Sequence, residues 1–305
     1  MPALVSHHRF AAAALAQAQP YLVSAASAAP TAFRWGAQGP DVLYYYRLLR
    51  ENHICHAGHC MHTARTARIF AALTAEAARR NTPEATAYLL GFCCHYILDR
   101  CAHPFVTYMT NYRLDPLFPR MPHDALHNLC EAELDRALIE RVHPGKSAEF
   151  PAYILLSYDD AGDQSAVASL LSHTVWASFG TRVTPKMVKS CMRSMLRAQQ
   201  MLHDKTGSRT AALRWLELRL GTPGAVSSLI RPVHPLDADC LNLEHRAWID
   251  AATPHMRRYT DYFQIFDQSQ QLAAQLMDVC YSAVQTGAPL SDTWFQLNFM
   301  GLPAR

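Results

Sequence analysis

The sequence is short of charge. Only 17% of its 305 residues are Asp, Glu, Lys or Arg, and the formal net charge is +3. A charge balance this weak gives little attraction for a polyanion, so it counts against a dedicated nucleic-acid-binding protein. Half of the residues are hydrophobic, which excludes a disordered chain and allows a substantial core.

Long apolar runs and secretory features are also missing. No apolar run is long enough to span a bilayer, so we expect no transmembrane segment and only peripheral membrane contact. Gln and Pro interrupt the early run "FAAAALAQAQPYLV", which therefore does not resemble a signal peptide. The nine cysteines are odd in number and follow no disulfide framework. These features together favour a reduced, cytoplasmic protein.

Helical patterns run through the chain, whereas alternating patterns typical of β-strands are lacking. Pro104 is expected to end the helix predicted over residues 84–102, because proline cannot donate the next backbone hydrogen bond. We predict helices over residues 7–17, 52–80, 84–102, 122–142, 165–178, 184–204, 208–219 and 256–286. Without a repeat or linker, the sequence predicts an all-α fold, a single-domain multi-helix bundle spanning residues 1–305.

Histidine is abundant, with 16 residues, and part of it is regularly spaced. In "GFCCHYILDRCAHPF", His95, Asp99 and His103 follow one another at intervals of four residues. That interval puts all three side chains on one face of a helix. Imidazole and carboxylate are ligands that zinc prefers, although core histidines beside a surface aspartate are an equal alternative on spacing alone.

A second row of residues with the same spacing favours a metal site over packed core histidines. "PHDALHNLCEAELD" places His123, His127 and Glu131 at intervals of four residues, and Asp135 continues the row. Two helices that pack these stripes together would bury several charges, which costs several kcal/mol each unless a partner compensates. A divalent cation is the favoured partner, and a network of histidines and carboxylates is the alternative.

The segment "NHICHAGHCMH" carries His53, His56, His59 and His62 at intervals of three residues. This interval spirals around a helix, so the four side chains cannot face one ion. We expect one or two of them to reach a metal site.

The segment "FRWGAQGPDVLYYY" predicts a tight turn followed by a carboxylate. Gly36, Gly39 and Pro40 fix the turn, and Asp41 stands at its exit. Phe33, Trp35 and the three tyrosines from 44 to 46 surround it, either as core packing or as the walls of a cleft that holds Asp41.

Taken in order, these motifs resemble the zinc-dependent phospholipase C family, whose helical fold is shared with the fungal single-strand-specific zinc nucleases. The matching stretches are "SHHRFA", "GAQGPDVLYYY", "GHCMH", "HYILDRCAHP" and "HNLCEAELD". The resemblance implies Zn²⁺ as cofactor, with three ions bound among helices. The ligands that it implies are His7, Asp41, His62, His95, Asp99, His103, His127 and Glu131.

Within that set, the resemblance implies one zinc at Asp41, His62, His95 and Asp99. Asp99 would also bridge to a second zinc held with His7, and His103, His127 and Glu131 would hold the third, with His123 in reserve. Secreted members complete the second site with the amine of an N-terminal tryptophan, which "MPALVSHH" does not offer. The amine of Pro2 or the side chain of His8 would replace it, and two zinc ions are expected if that site is lost.

The resemblance implies hydrolysis of a phosphodiester by a zinc-bound hydroxide, with Asp41 as candidate catalytic general base. The spacing of Asp135 makes it a candidate group that orients a histidine. The expected substrate is a phospholipid or another phosphodiester. The alternatives are a zinc-dependent nuclease for single-stranded nucleic acid, disfavoured by the weak net charge, and a non-catalytic metal-binding interaction protein. Iron or manganese also suits histidines with carboxylates.

Overall fold

The computed structural model describes residues 3–47, 52–156 and 161–304. In these ranges the chain is mainly helical, with one antiparallel pair of two-residue strands, β1 (Trp248–Ile249) and β2 (Arg257–Arg258), so the predicted all-α class is confirmed. The α-helices are α1 (Leu4–Ala16), α2 (Pro20–Ser27), α3 (Pro30–Ala37), α4 (His53–Thr63), α5 (Thr66–Arg80), α6 (Pro83–Met109), α7 (His123–Val142), α8 (Ala161–Phe179), α9 (Pro185–Met201), α10 (Ser208–Leu220) and α11 (Tyr262–Thr286). None of the described helices is long and apolar enough to cross a membrane.

The chain divides into two compact units. The first unit comprises Met1–Ser6, Ala102–Ile154 and Ala198–Ile265, and the second comprises His7–Cys101, Leu155–Arg197 and Phe266–Arg305. The single domain predicted for residues 1–305 stays a prediction.

In the second unit, α6 forms the centre of the core. Its residues from 85 to 98 are buried on nearly every side, which suits a helix that is apolar all round. Phe70 of α5 packs against Phe92 and Tyr96, with ring centroids 5.5 and 5.3 Å apart. Each such buried ring contributes about 1.5–3 kcal/mol to the free energy of unfolding, and so keeps α6 fixed.

Two glycines let α3 approach α6 closely. A Cβ atom on Gly91 would lie 2.1 Å from the carbonyl oxygen of Phe33, and one on Gly36 would lie 2.2 Å from that of Tyr88. The two helices therefore meet backbone to backbone. This contact fixes the position of the 3₁₀ turn Gly39–Tyr45, which follows α3 and carries Asp41.

The first unit is built around α7 and an aromatic cluster. Phe105 packs edge-on against Trp248 of β1 at 5.3 Å. On α7, Glu133 and Arg136 are both buried and form two hydrogen bonds of 2.9 and 2.7 Å. This pairing satisfies two charges that would be costly to bury singly.

The predicted helix over 52–80 is wrong in one respect, because it is interrupted after Thr63. Ala64 has an extended backbone, which ends α4. The Asn298 side chain donates to the freed carbonyl oxygen of Thr63 at 3.2 Å, and the Thr66 hydroxyl donates to that of Leu297. A distant segment of the chain thus stabilises the break, which local periodicity does not reveal.

The helix predicted to end at residue 102 instead continues through Pro104 to Met109. Proline inside a helix costs about 3 kcal/mol. Burial of Phe105 and Met109, both completely shielded from solvent, offsets a cost of that size at about 1.5–3 kcal/mol per side chain.

The helix predicted from residue 256 begins later, at Tyr262. The preceding residues form strand β2, and Asp261 then caps α11. The Asp261 carboxylate accepts from the N–H of Gln264 at 2.7 Å, and the Gln264 side chain accepts from the N–H of Asp261 at 3.0 Å. This reciprocal pair is a capping box, which fixes the start of the helix.

All nine cysteines are free thiols, and six of them are buried. Burial raises the pKa of Cys93 and Cys94 well above the ordinary range and raises that of Cys191 to about 12. The thiolate form is therefore disfavoured at these positions.

Candidate metal centre

Five of the predicted ligands come together in the second unit. Asp99 lies among three histidines, with its Oδ1 atom 3.3 Å from His7 Nε2 and its Oδ2 atom 3.2 Å from His95 Nε2 and 3.5 Å from His62 Nε2. Asp41 Oδ1 lies 3.0 Å from His62 Nε2. We call these five residues the deep cluster, because their side chains are between 0% and 13% exposed.

The deep cluster contains two groups that could hold a metal ion. One group is His7, His95 and Asp99, and the other is Asp41, His62 and His95. In each group, one ligand atom per residue lies within 4.8 Å of the others. His95 belongs to both groups, and its ring stacks on that of His7 at 4.1 Å between centroids.

Four separate elements supply these side chains. His7 stands on α1, Asp41 on the 3₁₀ turn Gly39–Tyr45, and His62 on α4. His95 and Asp99 are one helical turn apart on α6, as their spacing predicts.

Main-chain carbonyl groups orient two of the histidines. The Nδ1–H of His95 donates to the carbonyl oxygen of Ala37 at 3.1 Å. The Nδ1–H of His62 donates to that of Gly58 at 2.8 Å. A histidine fixed in this way presents Nε2 as the ligand atom, and both Nε2 atoms point at the carboxylates.

Gly39 makes room for the His95 ring. Its φ angle is +52°, in the region that favours glycine, and a Cβ atom there would lie 2.4 Å from His95 Cδ2. The second glycine of "GAQGPD" is thus required by both the backbone conformation and the close approach of the ring.

The contact between Asp41 and His62 changes the pKa of both groups. Burial acts to raise the pKa of Asp41, but the hydrogen bond from His62 and the charge of the neighbouring imidazoles hold it well below its usual range. Burial acts to lower the pKa of His62, but the bond to Asp41 and the charges of Asp41 and Asp99 raise it. Both shifts favour positive charge at the contact between the two side chains, a position that a cation also suits.

The deep cluster fits a zinc ion. His95 Nε2 is buried and makes no hydrogen bond, although it lies 3.2 Å from a carboxylate oxygen. Acceptor atoms that converge without a hydrogen between them favour a bound cation. Imidazole nitrogens and carboxylate oxygens are donors that zinc accepts.

The other three predicted ligands form a second group, within the first unit. Glu131 Oε1 lies 3.2 Å from His127 Nε2 and 3.9 Å from His103 Nε2, and the two imidazole rings stack at 5.6 Å. Burial acts to raise the pKa of Glu131, but neighbouring positive charge, including that of His127 and His103, holds it well below its usual range. We call this group the shallow cluster, because the His127 side chain is 18% exposed.

Several other predicted candidates lie elsewhere. His53, His56 and His59 are exposed on α4, so only the fourth histidine of that segment joins a cluster. His123 is exposed, and its Nε2 atom lies 2.8 Å from the Asn111 side-chain oxygen. It is therefore not in the shallow cluster.

Two replacements for the N-terminal amine were predicted, Pro2 and His8. Pro2 lies outside the described residues. His8 belongs to none of the three ligand groups, and burial together with the charges of Arg34 and Arg9 lowers its pKa to about 4.

Asp135 is buried but does not orient a histidine. It accepts hydrogen bonds from the N–H groups of Val5 and Ser6 at 3.0 and 2.8 Å, and burial raises its pKa to about 6. Its contacts hold the residues that start α1, directly before His7.

The aromatic residues near Asp41 were predicted either to pack in the core or to wall a cleft, and the structure separates the two groups. Phe33, Trp35 and Tyr45 are buried as core packing. Tyr44 stacks on His62 at 5.5 Å, and its hydroxyl lies 3.2 Å from His62 Nδ1.

Sequence reasoning missed Phe299. Its buried ring packs against His62 at 5.4 Å and against His95 at 5.9 Å, so it forms an apolar wall of the deep cluster. The only sequence signal is an aromatic residue in "FQLNFMG", which carries no spacing that ties it to the histidines.

Comparison with known proteins gives one family. Searches of curated proteins and of solved structures found no match. The sequence model of the family described as zinc dependent phospholipase C matches residues 6–198, which is well over half of the chain and contains every residue of both clusters. The chain therefore belongs to the zinc-dependent phospholipase C family.

Proposed function

We propose that this protein is a zinc-dependent phosphodiesterase that hydrolyses a phospholipid or a related phosphodiester. The observation that carries the proposal is the deep cluster, in which Asp99 lies within 3.5 Å of three imidazole nitrogens and Asp41 lies at its edge. Family membership supports zinc as the metal and phosphodiester hydrolysis as the reaction.

We infer three zinc ions, two in the deep cluster and one in the shallow cluster, and the three ligand groups support this count. Zinc, when bound, neutralises phosphate charge and makes water a nucleophile near neutral pH. Asp99 fits a bridging role, because its two carboxylate oxygens face different histidines.

The protein's own groups orient the histidines and accept the proton that the attacking water releases. The carbonyl oxygens of Ala37 and Gly58 fix the tautomers of His95 and His62. Asp41 lies at the edge of the cluster, with its Oδ1 atom 3.0 Å from His62 Nε2, and it is the candidate acceptor of a proton from an attacking water. Phe299 excludes water from one side of the imidazoles.

The first test measures turnover of bis(p-nitrophenyl) phosphate by zinc-loaded protein, with the zinc content measured on the same sample. Asp41→Asn should reduce kcat by about 10²- to 10⁴-fold, the range for loss of a general base. The control is Asp115→Asn, a change of the same chemistry at an exposed position. Full turnover in an Asp41→Asn protein with full zinc would remove the base role.

The substrate class is tested next, by comparing phosphatidylcholine in mixed micelles with single-stranded DNA at equal phosphate concentration. Faster release of phosphocholine supports the phospholipase assignment. Preferential cleavage of DNA would instead assign the protein as a nuclease, and full zinc without turnover on either substrate would make it a non-catalytic metal-binding protein.

A further inference from the structure

Helix α10 buries its acidic residue and exposes its large apolar residues, which is the reverse of the usual pattern of burial. Of its 13 residues, Glu217 alone is buried. Trp215 is 59% exposed, Leu218 61% and Leu220 66%, although these are the residue types that a helix normally packs inward. The helix lies at residues 208–220, beyond the part of the chain that the family model covers.

The buried carboxylate of Glu217 attaches the helix to the chain that follows it. Its two oxygens accept hydrogen bonds from the N–H groups of Gly224, Val226 and Ser227 at 3.0, 2.6 and 2.8 Å. The Ser227 hydroxyl donates a further bond at 2.6 Å.

A second buried carboxylate fixes the beginning of the helix. Asp204 accepts from the N–H of Gly207 at 3.0 Å and from both the N–H and the hydroxyl of Thr210 at 2.8 Å. Polar contacts at both ends therefore hold α10 in place. Its apolar side chains are not needed for that attachment and stay in contact with solvent.

The exposed apolar residues form a surface along the helix. Ala211, Trp215 and Leu218 follow one another at i, i+4 and i+7, so they line one face. Leu216 is 45% exposed, but it follows Trp215 directly and therefore lies on an adjacent face of the helix. A tryptophan among leucines on the outside of a helix is typical of segments that lie at the boundary between lipid headgroups and acyl chains.

Every exposed charge on α10 is positive. Arg209, Arg214 and Arg219 are exposed, whereas the only acidic residue of the helix is the buried Glu217. The Arg219 guanidinium stacks over the Trp215 ring at 4.7 Å, which brings a cation to the apolar face itself. This combination complements an anionic lipid surface, where phosphates lie directly above the acyl chains.

We propose that α10 docks the protein peripherally on an anionic phospholipid bilayer. Trp215 and Leu218 enter the boundary between headgroups and acyl chains, while Arg214 and Arg219 bind lipid phosphates. The proposal deepens the proposed function, because it names the surface on which a phospholipid substrate would be met. Its test does not depend on turnover.

The experiment measures co-sedimentation of the zinc-loaded protein with vesicles of phosphatidylcholine alone and with vesicles that also contain phosphatidylserine as the anionic lipid. Asp41→Asn protein is measured in parallel, so that binding is separated from lipid hydrolysis. We expect binding to the phosphatidylserine vesicles that weakens as salt rises.

Matched variants locate the contact. Trp215→Ala/Leu218→Ala should weaken binding about 10-fold or more, because two apolar side chains no longer enter the lipid. Trp176→Ala is the control, since Trp176 on α8 is equally exposed at 57%. Circular dichroism and Tm should be unchanged in all of these proteins, because the altered side chains lie on the surface.

The charge contribution is tested in the same way. Arg214→Gln/Arg219→Gln should weaken binding to the phosphatidylserine vesicles roughly 10- to 30-fold, from about 1 kcal/mol per arginine at an anionic surface. Arg193→Gln/Arg197→Gln removes two exposed arginines from α9 as the control.

Selective loss in the α10 variants supports the proposal. Failure of the wild-type protein to bind either vesicle overturns it, and so does equal loss in α10 and control variants. Concentration-dependent self-association that Trp215→Ala abolishes, without vesicle binding, would assign this surface to a second copy of the chain. If the wild-type protein binds vesicles but does not turn over a soluble phosphodiester, the result contradicts the proposed function and still supports membrane docking by α10.

Discussion

The deep and shallow clusters use the same ligand chemistry but are held differently. In the deep cluster, His95 and His62 each donate a hydrogen bond to a main-chain carbonyl oxygen. In the shallow cluster, His127 and Glu131 contact each other from one face of α7, one turn apart, and His127 stacks on His103. The side chain of His127 is 18% exposed, whereas that of His95 is fully buried.

This difference indicates in which cluster the predicted ligands are already oriented in the metal-free protein. A ligand fixed by the main chain keeps its orientation in the metal-free protein, so little entropy is lost on binding. His127 is held by contacts with the side chains of Glu131 and His103, so it has more freedom to move. We therefore expect the deep cluster to bind zinc more tightly than the shallow cluster does.

The largest effect is expected from Asp99→Ala. This change removes the carboxylate that faces three histidines, so one or two zinc ions should be lost from the deep cluster, as measured by inductively coupled plasma mass spectrometry. Turnover should fall by at least about 100-fold, more than the 10- to 100-fold typical of an outer-shell group.

Asp115→Ala, at an exposed position, controls for the loss of a negative charge. A full zinc content in the Asp99→Ala protein would contradict the assignment of the deep cluster as a metal centre.

Gly39→Ala should come next in size. The new Cβ atom would need the space that His95 Cδ2 occupies at 2.4 Å, and alanine is strained at a φ angle of +52°. We expect loss of deep-cluster zinc together with a lower free energy of unfolding, measured by urea denaturation.

Gly145→Ala separates strain from crowding. Gly145 has a φ angle of +74°, but its Cβ position meets no atom within 4 Å. This variant should lose only about 1–2 kcal/mol of stability and keep all of its zinc. Equal effects in the two glycine variants would show that crowding of His95 is unimportant.

His127→Ala should have a smaller and more local effect. It should remove one zinc, leave the deep cluster loaded, and leave the unfolding free energy of the zinc-free protein nearly unchanged, because His127 is partly exposed. In the wild-type protein, a chelator should remove this zinc first.

His123→Ala is the matched control, four residues earlier on the same helix and 56% exposed. It should keep the wild-type zinc content. Release of deep-cluster zinc before shallow-cluster zinc would reverse the proposed order of affinity.

The smallest effect is expected from Phe299→Leu. The buried ring contacts both His62 and His95, but leucine preserves most of the apolar volume. Such a change should cost less than about 1.5 kcal/mol of stability and leave the zinc content unchanged. Chelator release from the deep cluster should become a few-fold faster, and an unchanged rate would deny Phe299 a role in shielding the site.

The residues of both clusters follow from the sequence because their chemistry is local. His95 and Asp99, or His127 and Glu131, stand one turn apart, so helical periodicity alone puts each pair on one face. Bringing His7, Asp41 and His62 to them depended on the family resemblance, since no local pattern joins four elements.

What orients the ligands was not predictable in the same way. The carbonyl groups of Ala37 and Gly58 are main-chain atoms that any residue could supply, so the sequence carries no sign of them. The interruption of α4 and α5 depends on Asn298, more than 200 residues away in the chain. The continuation of α6 through Pro104 depends on how deeply Phe105 is buried, which only the packed structure decides.

The buried thiols have a consequence for how the protein acquires the correct metal. A chain with nine cysteines offers many soft ligands that could divert zinc during loading. Because burial raises the pKa of Cys93, Cys94 and Cys191, the folded protein withholds their thiolates. Folding before metal uptake would therefore direct zinc to nitrogen and oxygen ligands, whereas uptake by the unfolded chain would risk trapping it at sulfur.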